Sequence, residues 1–273
     1  MRLTCLVDNC VTRGSALWGE HGLSFLIETS AGNVLWDTGQ SDAVLEHNLQ
    51  KLGLEDVPLS AVALSHAHYD HTGGLFSVLA AHPGLPVYAH PTLFRERYHR
   101  KPEGLLPIGI ANRRVELEAH ANFHYSDAPQ EIVPAVRTTG GIHARPFPQG
   151  ASSHHFMRQG SEFVPDDYAD DISLVLQVNR GIILLCGCCH AGLRNTLALV
   201  RAQYQARLLA IVGGTHLVQA DDAELDAVGE VLRAEGEPML YLNHCTGERA
   251  ILALSRTFGQ RVIPCPAGTI IEF

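Results

Sequence analysis

Residues 64–74 read Leu64-Ser65-His66-Ala67-His68-Tyr69-Asp70-His71-Thr72-Gly73-Gly74. The stretch places three histidines and one carboxylate within six positions, directly after an apolar run, 61–64, that predicts a buried strand. At the end of a strand, His66 and His68 lie two residues apart, so both imidazoles can project to the same side. The chain then turns, so Asp70 and His71 can face a second point nearby. Because imidazole and carboxylate bind zinc and related divalent ions, the pattern predicts two metals around one bridging water.

Three more histidines, His190, His216 and His244, follow runs that predict strands at 181–186, 208–212 and 239–243. In α/β sheets, ligand sites form beyond the carboxyl ends of strands, so this repeated context favours a shared site. We predict His190 and His244 as metal ligands beside the first motif, although a lone histidine after a strand is more often structural or solvated. His216 is the candidate for stabilising an oxyanion or protonating a leaving group.

Carboxylates elsewhere in the chain give weaker signals. Asp37 ends the predicted strand 34–36, where forming a turn or orienting a histidine is favoured over direct metal ligation. Asp170 and Asp171 precede a predicted strand, and a solvated pair is the default expectation. The pair Glu20-His21 fits a pocket lining and a surface position equally well.

The seven cysteines, an odd number, are not typical of a disulfide framework and favour a reducing cytoplasm. Cys188, Cys189 and Cys245 flank histidines of the predicted site, so a thiolate could coordinate a soft metal. No matching Cys-x-x-Cys pair exists elsewhere, which disfavours a structural zinc knot. The favoured interpretation is that these cysteines are small buried hydrophobic side chains.

Length and charge narrow the class of protein. The chain has 273 residues, 46% of them hydrophobic, and predicts a single domain, 1–273, with a large core. The formal net charge is -9 and no basic run occurs, which argues against a nucleic-acid partner. No apolar stretch approaches the roughly 20 residues that span a membrane, and residues 1–8 are typical of a strand rather than a signal peptide. The expected partner is a small-molecule substrate, and a homodimer is the commonest assembly for such proteins.

Short apolar runs alternate with helical patterns along most of the chain. The predicted strands are 2–7, 23–28, 34–36, 61–64, 87–89, 172–178, 181–186, 208–212, 239–243 and 269–273, and the predicted helices are 42–52, 74–81, 191–204, 223–234 and 246–258. Hairpins at 23–36 and 172–186 predict an α/β fold of two partly antiparallel sheets packed together and covered by helices. Residues 95–168 are rich in proline, histidine and charge and predict a loop-rich insertion over the site.

The motif His-x-His-x-Asp-His at residues 66–71 resembles the signature of the metallo-β-lactamase-fold superfamily, and Asp37-Thr38-Gly39 resembles the strand-end motif that precedes it there. Three further features are similar to the branch known as dihydropterin ribofuranosyl-aminobenzene phosphate synthase-like. They are Glu20-His21-Gly22-Leu23-Ser24, Gly187-Cys188-Cys189-His190-Ala191-Gly192, and Gly213-Gly214-Thr215-His216-Leu217 with His244-Cys245-Thr246-Gly247.

The resemblance implies a four-layer αββα sandwich of two mixed β-sheets flanked by helices, with a two-metal site at one edge. It also implies that His66 and His68 serve one metal, that Asp70 and His71 serve the other, and that His244 is the late histidine of the second site. The chain departs from the superfamily at two places. Residues 138–141 lack the histidine that many members have there, and Cys188 stands where many members have a bridging aspartate. We therefore infer that His190 compensates for at least one lost ligand.

The leading hypothesis is a metal-dependent hydrolase that uses a metal-activated water on a small anionic substrate, such as a phosphoester, another ester or a lactone. Two zinc ions are the expected cofactors, with manganese and iron as alternatives. Asp70 can also accept a proton from the nucleophile. Two other hypotheses stay open at this point: a mononuclear iron oxidoreductase and a ligand-binding protein without turnover.

Overall fold

Eighteen strands and seven α-helices form in the computed structural model, which describes all 273 residues. The strands are β1 (Arg2–Val7), β2 (Ser24–Thr29), β3 (Gly32–Trp36), β4 (Ala61–Ala63), β5 (Leu85–Ala89), β6 (Arg97–Lys101), β7 (Gly104–Pro107), β8 (Ala121–Tyr125), β9 (Glu131–Val133), β10 (Val136–Thr138), β11 (His155–Gln159), β12 (Glu162–Pro165), β13 (Leu174–Val178), β14 (Gly181–Cys186), β15 (Leu208–Gly213), β16 (Met239–Leu242), β17 (Val262–Pro264) and β18 (Ile270–Glu272). The helices are α1 (Asp42–Leu52), α2 (Tyr69–Thr72), α3 (Leu75–Ala81), α4 (Arg114–Glu118), α5 (Leu193–Gln203), α6 (Asp222–Ala234) and α7 (Glu248–Phe258). None of the helices is both long and apolar enough to cross a membrane.

Two mixed seven-stranded sheets carry the fold. The first has the order β18-β1-β2-β3-β4-β5-β8 and the second the order β17-β16-β15-β14-β13-β10-β9. In each sheet an antiparallel hairpin leads into parallel strands: β2 pairs antiparallel with β3 before β3 pairs parallel with β4, and β13 pairs antiparallel with β14 before β14 pairs parallel with β15. The two predicted hairpins are therefore present.

The two sheets pack face to face and carry helices on their outer faces. Successive residues of a strand point to opposite faces, so Trp36 of β3 lies in the core between the sheets, while Leu35 packs on the helical side. The opposing sheet contributes Leu185 to the same central core. Outside the sheets, Leu45 of α1 packs against the first sheet and Leu197 of α5 against the second. The predicted four-layer αββα sandwich is confirmed.

Residues 95–168, expected as a loop-rich insertion, contain more regular structure than the sequence indicated. Strands β12-β11-β6-β7 form a separate four-stranded sheet, here called the third sheet, while β8, β9 and β10 extend the edges of the two main sheets. The strand β6 reads Arg-Tyr-His-Arg-Lys, so it has no run of apolar residues from which a strand could be predicted. The short helix α2 and the edge strand β17 also went unpredicted.

The predicted site residues follow strands that end at the same edges of the sheets. Strands β14, β15 and β16 run parallel, and they lead directly into the segments that hold His190, His216 and His244. In the first sheet, β3 and β4 are parallel and lead into Asp37 and the 66–71 motif. The fold thus brings residues from distant parts of the sequence to one place.

Candidate metal centre

His66, His68 and His190 form the first ligand group. One ring nitrogen from each residue lies within 4.8 Å of the other two, and all three side chains are buried. Nε2 of His66, Nε2 of His68 and both ring nitrogens of His190 have no hydrogen-bond partner. Leaving several buried polar atoms unpaired is costly in a protein interior. A cation shared by the three lone pairs accounts for this arrangement, so these residues fit a metal.

Asp70, His71 and His244 form the second ligand group. Nε2 of His71 lies 3.2 Å from Nε2 of His244 and 3.5 Å from Oδ2 of Asp70, and Nε2 of His244 lies 3.4 Å from the same oxygen. Ligands held at about 2.1 Å in a tetrahedral zinc site lie about 3.4 Å from one another. The spacing of this group therefore also fits a divalent metal. His21 approaches the group as well, with Nε2 at 3.3 Å from Oδ2 of Asp70.

Asp37 and Ser65 orient one histidine of each group, His71 and His66, from the side away from the cavity. Oδ2 of Asp37 accepts a hydrogen bond from Nδ1 of His71 at 2.7 Å and another from the hydroxyl of Ser65 at 2.7 Å. The Ser65 oxygen in turn lies 2.8 Å from Nδ1 of His66 and accepts a hydrogen bond from it, since the Ser65 proton is donated to Asp37. Because each Nδ1 is engaged, Nε2 is left free to bind a metal, an arrangement that fixes the tautomer of metal-binding histidines. Asp37 thus occupies the orienting position that the sequence favoured.

Asp8 and Asn9, at the end of β1, position His244. Oδ1 of Asn9 lies 2.9 Å from Nδ1 of His244, and Oδ1 of Asp8 accepts the His244 backbone N–H at 2.8 Å. Sequence reasoning missed both residues. They are more than 230 positions from His244, and nothing in the sequence around them indicates the contact.

Asp170 connects the third sheet to the histidine motif, and the expectation of a solvated pair at Asp170 and Asp171 is wrong. Both residues are only 1% exposed. Oδ2 of Asp170 accepts the backbone N–H of Ala67 at 2.9 Å, between the two histidines of the motif. Oδ1 of Asp170 accepts a 2.7 Å hydrogen bond from Arg97, whose side chain is fully buried and also pairs with Asp166 at 3.2 Å. Burying an ionised carboxylate is costly unless a positive charge lies beside it. The charge of Arg97 therefore explains why Asp170 can be buried.

Several residues of the site have strained backbone conformations. Asp37, Cys189, His216 and His244 all have positive φ angles, between 48° and 57°. Residues other than glycine seldom adopt this region, and such conformations cost roughly 1–3 kcal/mol each. Strain of this kind collects at functional sites, because the surrounding structure holds side chains there in directions that regular strands do not provide.

Burial sets the protonation of the first ligand group, and neighbouring charges set that of Asp70 and His71. Burial, reinforced by the surrounding histidines, lowers the pKa of His66 and His190 well below the ordinary value. These imidazoles are therefore neutral and carry free lone pairs. Burial alone raises the pKa of Asp70, but the attraction of His71 and His244 outweighs it and lowers that pKa. Burial opposes the charge of His71, whereas Asp70 and Asp37 raise its pKa to about 9, so a metal bound by His71 would displace a proton from it.

Both ligand groups open into a cavity of about 180 Å³. His99 and His155 of the third sheet line this cavity, together with His216. Nδ1 of His155 lies 2.6 Å from the hydroxyl of Tyr168, while Nδ1 of His216 is buried without a partner. A second cavity of about 500 Å³ adjoins the first at His216. The third sheet thus covers the site and supplies polar groups to it.

The cysteines beside His190 and the turn 138–141 are the remaining positions that the sequence singled out. Cys189 packs in the hydrophobic core, as the favoured interpretation of the cysteines expected. Cys188, in contrast, places its sulfur 3.2 Å from Nε2 of His71. Residues 138–141 contribute no side chain to the cavity. This turn therefore does not replace the histidine that the superfamily pattern has there. His190 lies in the first ligand group instead.

Comparisons with known proteins agree with this fold. A family model described as Metallo-beta-lactamase superfamily matches residues 17–190. The whole chain is 26% identical to a Methanocaldococcus jannaschii protein named 7,8-dihydropterin-6-methyl-4-(beta-D-ribofuranosyl)-aminobenzene-5'-phosphate synthase, and the match covers 97% of that protein. A solved structure described as a metal-dependent hydrolase of the beta-lactamase superfamily is 28% identical, with a TM-score of 0.87 over 100% of this chain and 99% of that one. The metallo-beta-lactamase fold protein YhfI from Bacillus subtilis, at 15% identity and a TM-score of 0.59 over 99% of both chains, shares the fold.

Proposed function

Because the chain belongs to the metallo-beta-lactamase superfamily, as its motif predicted, we propose that it is a metal-dependent hydrolase acting on a small anionic substrate, a phosphoester first. The observation that carries this proposal is the pair of ligand groups beside one cavity: the first has unpartnered ring nitrogens, and in the second two imidazoles and a carboxylate lie within 3.5 Å of one another. His66, His68 and His190 would hold one metal, and Asp70, His71 and His244 the other. The expected metals are two divalent ions, zinc first, with manganese or iron as alternatives. When bound, such metals lower the pKa of a coordinated water and polarise the scissile bond.

The chain's own residues have separate roles in this reaction. Asp70 lies at the boundary between the second ligand group and the cavity, where its carboxylate can take up a proton from the nucleophile. His216 faces the same cavity with an unpartnered Nδ1, and it is the group that stabilises the oxyanion or protonates the leaving group. His99 lines the same cavity and can offer its Nε2 to the anionic part of the substrate, while His155 holds Nδ1 of His99 at 3.1 Å. The third sheet limits the access of bulk water.

Two relatives support the proposal, one its reaction type and the other its substrate class. The solved structure at 28% identity is described as a metal-dependent hydrolase, which supports the reaction type. The name of the Methanocaldococcus jannaschii relative contains a ribofuranosyl 5'-phosphate, which supports a phosphate-bearing substrate. The formal charge of -9 does not oppose this, because anion binding here depends on local histidines and metals rather than on the net charge.

A second candidate is group transfer between two organic molecules. The relative just named is a synthase, and the two cavities that meet at His216 offer room for two substrates side by side. Turnover in ¹⁸O-labelled water separates the two candidates. Hydrolysis places one labelled oxygen in a product, whereas transfer between two organic substrates places none.

The test of the proposed function compares His68→Ala with His124→Ala after reconstitution with zinc or manganese. His68 belongs to the first ligand group, whereas His124 is exposed on β8 outside the cavity. Each protein is assayed against panels of phosphoesters, carboxylic esters and lactones. We expect metal-dependent turnover in the parent protein and in His124→Ala, and its loss in His68→Ala. Undiminished turnover in His68→Ala would show that the centre proposed here does not carry the reaction.

A further inference from the structure

Cys188 lies between the two ligand groups. Its sulfur is 3.2 Å from Nε2 of His71, and it forms a candidate ligand set with His66 and His71 in which all three ligand atoms lie within 4.8 Å. It forms a second such set with His190 and His216, and a third with His244 and Cys245. Cys188 is therefore close to members of both ligand groups. We propose that its thiolate binds metal in this centre and is shared by the two metal positions.

The distance to His71 supports coordination. With zinc–sulfur bonds of about 2.3 Å and zinc–nitrogen bonds of about 2.1 Å, a sulfur and a nitrogen on one tetrahedral zinc lie about 3.6 Å apart. The observed separation of 3.2 Å is close to that value. The inference rests on the metal centre of the proposed function, but it adds a ligand of a different chemical type.

The surroundings of Cys188 differ from those of the other buried cysteines. Cys186 and Cys189 pack among apolar side chains of the core beneath α5, and Cys5 and Cys265 pack between the two main sheets. Cys188 is 3% exposed yet belongs to none of the hydrophobic clusters. Its neighbours are the histidines of the site, so an apolar packing role does not explain its burial.

Cys245 is the other thiol near the centre, and its hydrogen bonds distinguish it from Cys188. The Cys245 sulfur accepts the backbone N–H of His216 at 3.3 Å and faces the carbonyl oxygen of Cys188 at 3.5 Å. It is also grouped only with Cys188 and His244, and with no member of the first ligand group. Cys245 therefore has a role in holding the loop after β15, and it lacks the central position of Cys188.

A shared thiolate would also help to balance the positive charge of two metals in the site. Asp70 is the one carboxylate in the candidate ligand sets, and it lies in the second group. Two divalent cations would otherwise be neutralised by a single negative side chain. On binding, the Cys188 thiol loses its proton to solvent and contributes a second negative charge. A thiolate also favours zinc and other softer metals over magnesium.

The test uses the full-length protein loaded with cobalt(II), whose visible absorption reports binding and whose near-ultraviolet charge-transfer band reports a cobalt–thiolate bond. The variants are Cys188→Ser, Cys188→Asp and, as the matched control, Cys245→Ser. We expect the charge-transfer band in the parent protein and in Cys245→Ser, and its absence in both Cys188 variants. Cobalt affinity should fall roughly tenfold or more in Cys188→Ser, since loss of an orienting partner alone commonly costs 10–100-fold. Cys188→Asp should retain two metals per chain through its carboxylate.

The outcomes separate this inference from the proposed function. Visible cobalt bands without the charge-transfer band in the parent protein would overturn the Cys188 assignment and leave the metal centre standing. A band lost in Cys245→Ser and kept in Cys188→Ser would assign the bond to the other thiol. No cobalt binding at all would overturn the centre itself. X-ray absorption of the zinc-loaded parent protein needs no variant, and it should show a sulfur neighbour at about 2.3 Å; a shell of nitrogen and oxygen alone contradicts the proposal.

Discussion

Replacing Arg97 by methionine removes the cation that joins the third sheet to the metal centre. Arg97 and its partners Asp166 and Asp170 have fully buried side chains, with guanidinium–carboxylate distances of 3.2 and 2.7 Å. The variant would leave two buried carboxylates without their cation. Removing one partner of a buried ion pair costs about 3–5 kcal/mol. A domain of this size loses roughly 2–4 °C in its unfolding midpoint for each kcal/mol, so we expect a decrease of roughly 6–20 °C.

Circular dichroism during heating measures this decrease, and the neighbouring Arg95 provides the control. Arg95 pairs with Asp167 at 3.2 Å, but both side chains are well exposed. Such a pair contributes at most about 1 kcal/mol, so Arg95→Met should change the midpoint little. The double variant Arg97→Met with Asp170→Asn should recover part of the loss, because one uncompensated charge is removed. Equal midpoints for Arg97→Met and Arg95→Met would refute the argument that this buried cation supports the site.

Two further substitutions test the supports of the ligand groups. Asp37→Ala removes the acceptor of His71 Nδ1 and of Ser65, and should weaken zinc binding roughly 10–100-fold in competition with a chelator; Asp127→Ala removes a carboxylate that pairs with His90 and His143 away from the centre and should leave zinc affinity unchanged. Equal zinc affinities in these two variants would contradict the orienting role. The added methyl group of Gly187→Ala would clash with Ser65 Oγ and lie 3.1 Å from Asp37 Oδ2. The substitution should therefore lower the free energy of unfolding by about 1–3 kcal/mol and reduce the amount of bound metal. Gly229→Ala, whose nearest neighbour would be 3.9 Å away, should be neutral or slightly stabilising, and metal content measured in both variants decides the point.

The sequence predicts the parts of this protein that depend on local pattern. The helix Asp42–Leu52 and the strands Arg2–Val7 and Gly181–Cys186 have the bounds that apolar periodicity indicated. The 66–71 motif follows a buried strand, and its residues lie in both ligand groups. Local pattern suffices there because a strand end fixes the direction of the residues that follow it.

The rest depends on contacts between distant segments. Asn9 reaches His244 across 235 positions, and Arg97 reaches Asp170 across 73. No local rule marks such partners, so the sequence around Asp170 predicts a solvated carboxylate, whereas the buried Arg97 holds it in the interior. The third sheet escaped prediction for a related reason. Its strands alternate polar and apolar residues weakly, since they cover the site rather than fill a core.

The central claim is that this chain holds two metals in neighbouring ligand groups, and metal content tests it most directly. The protein is purified without a histidine tag, and metals per chain are counted by plasma mass spectrometry in the parent and in His190→Ala. His190 belongs to the first ligand group, and its ring nitrogens have no other partner. We predict about two zinc or manganese ions per chain in the parent, with a decrease in the variant. A single iron, or no metal after reconstitution, would contradict the account.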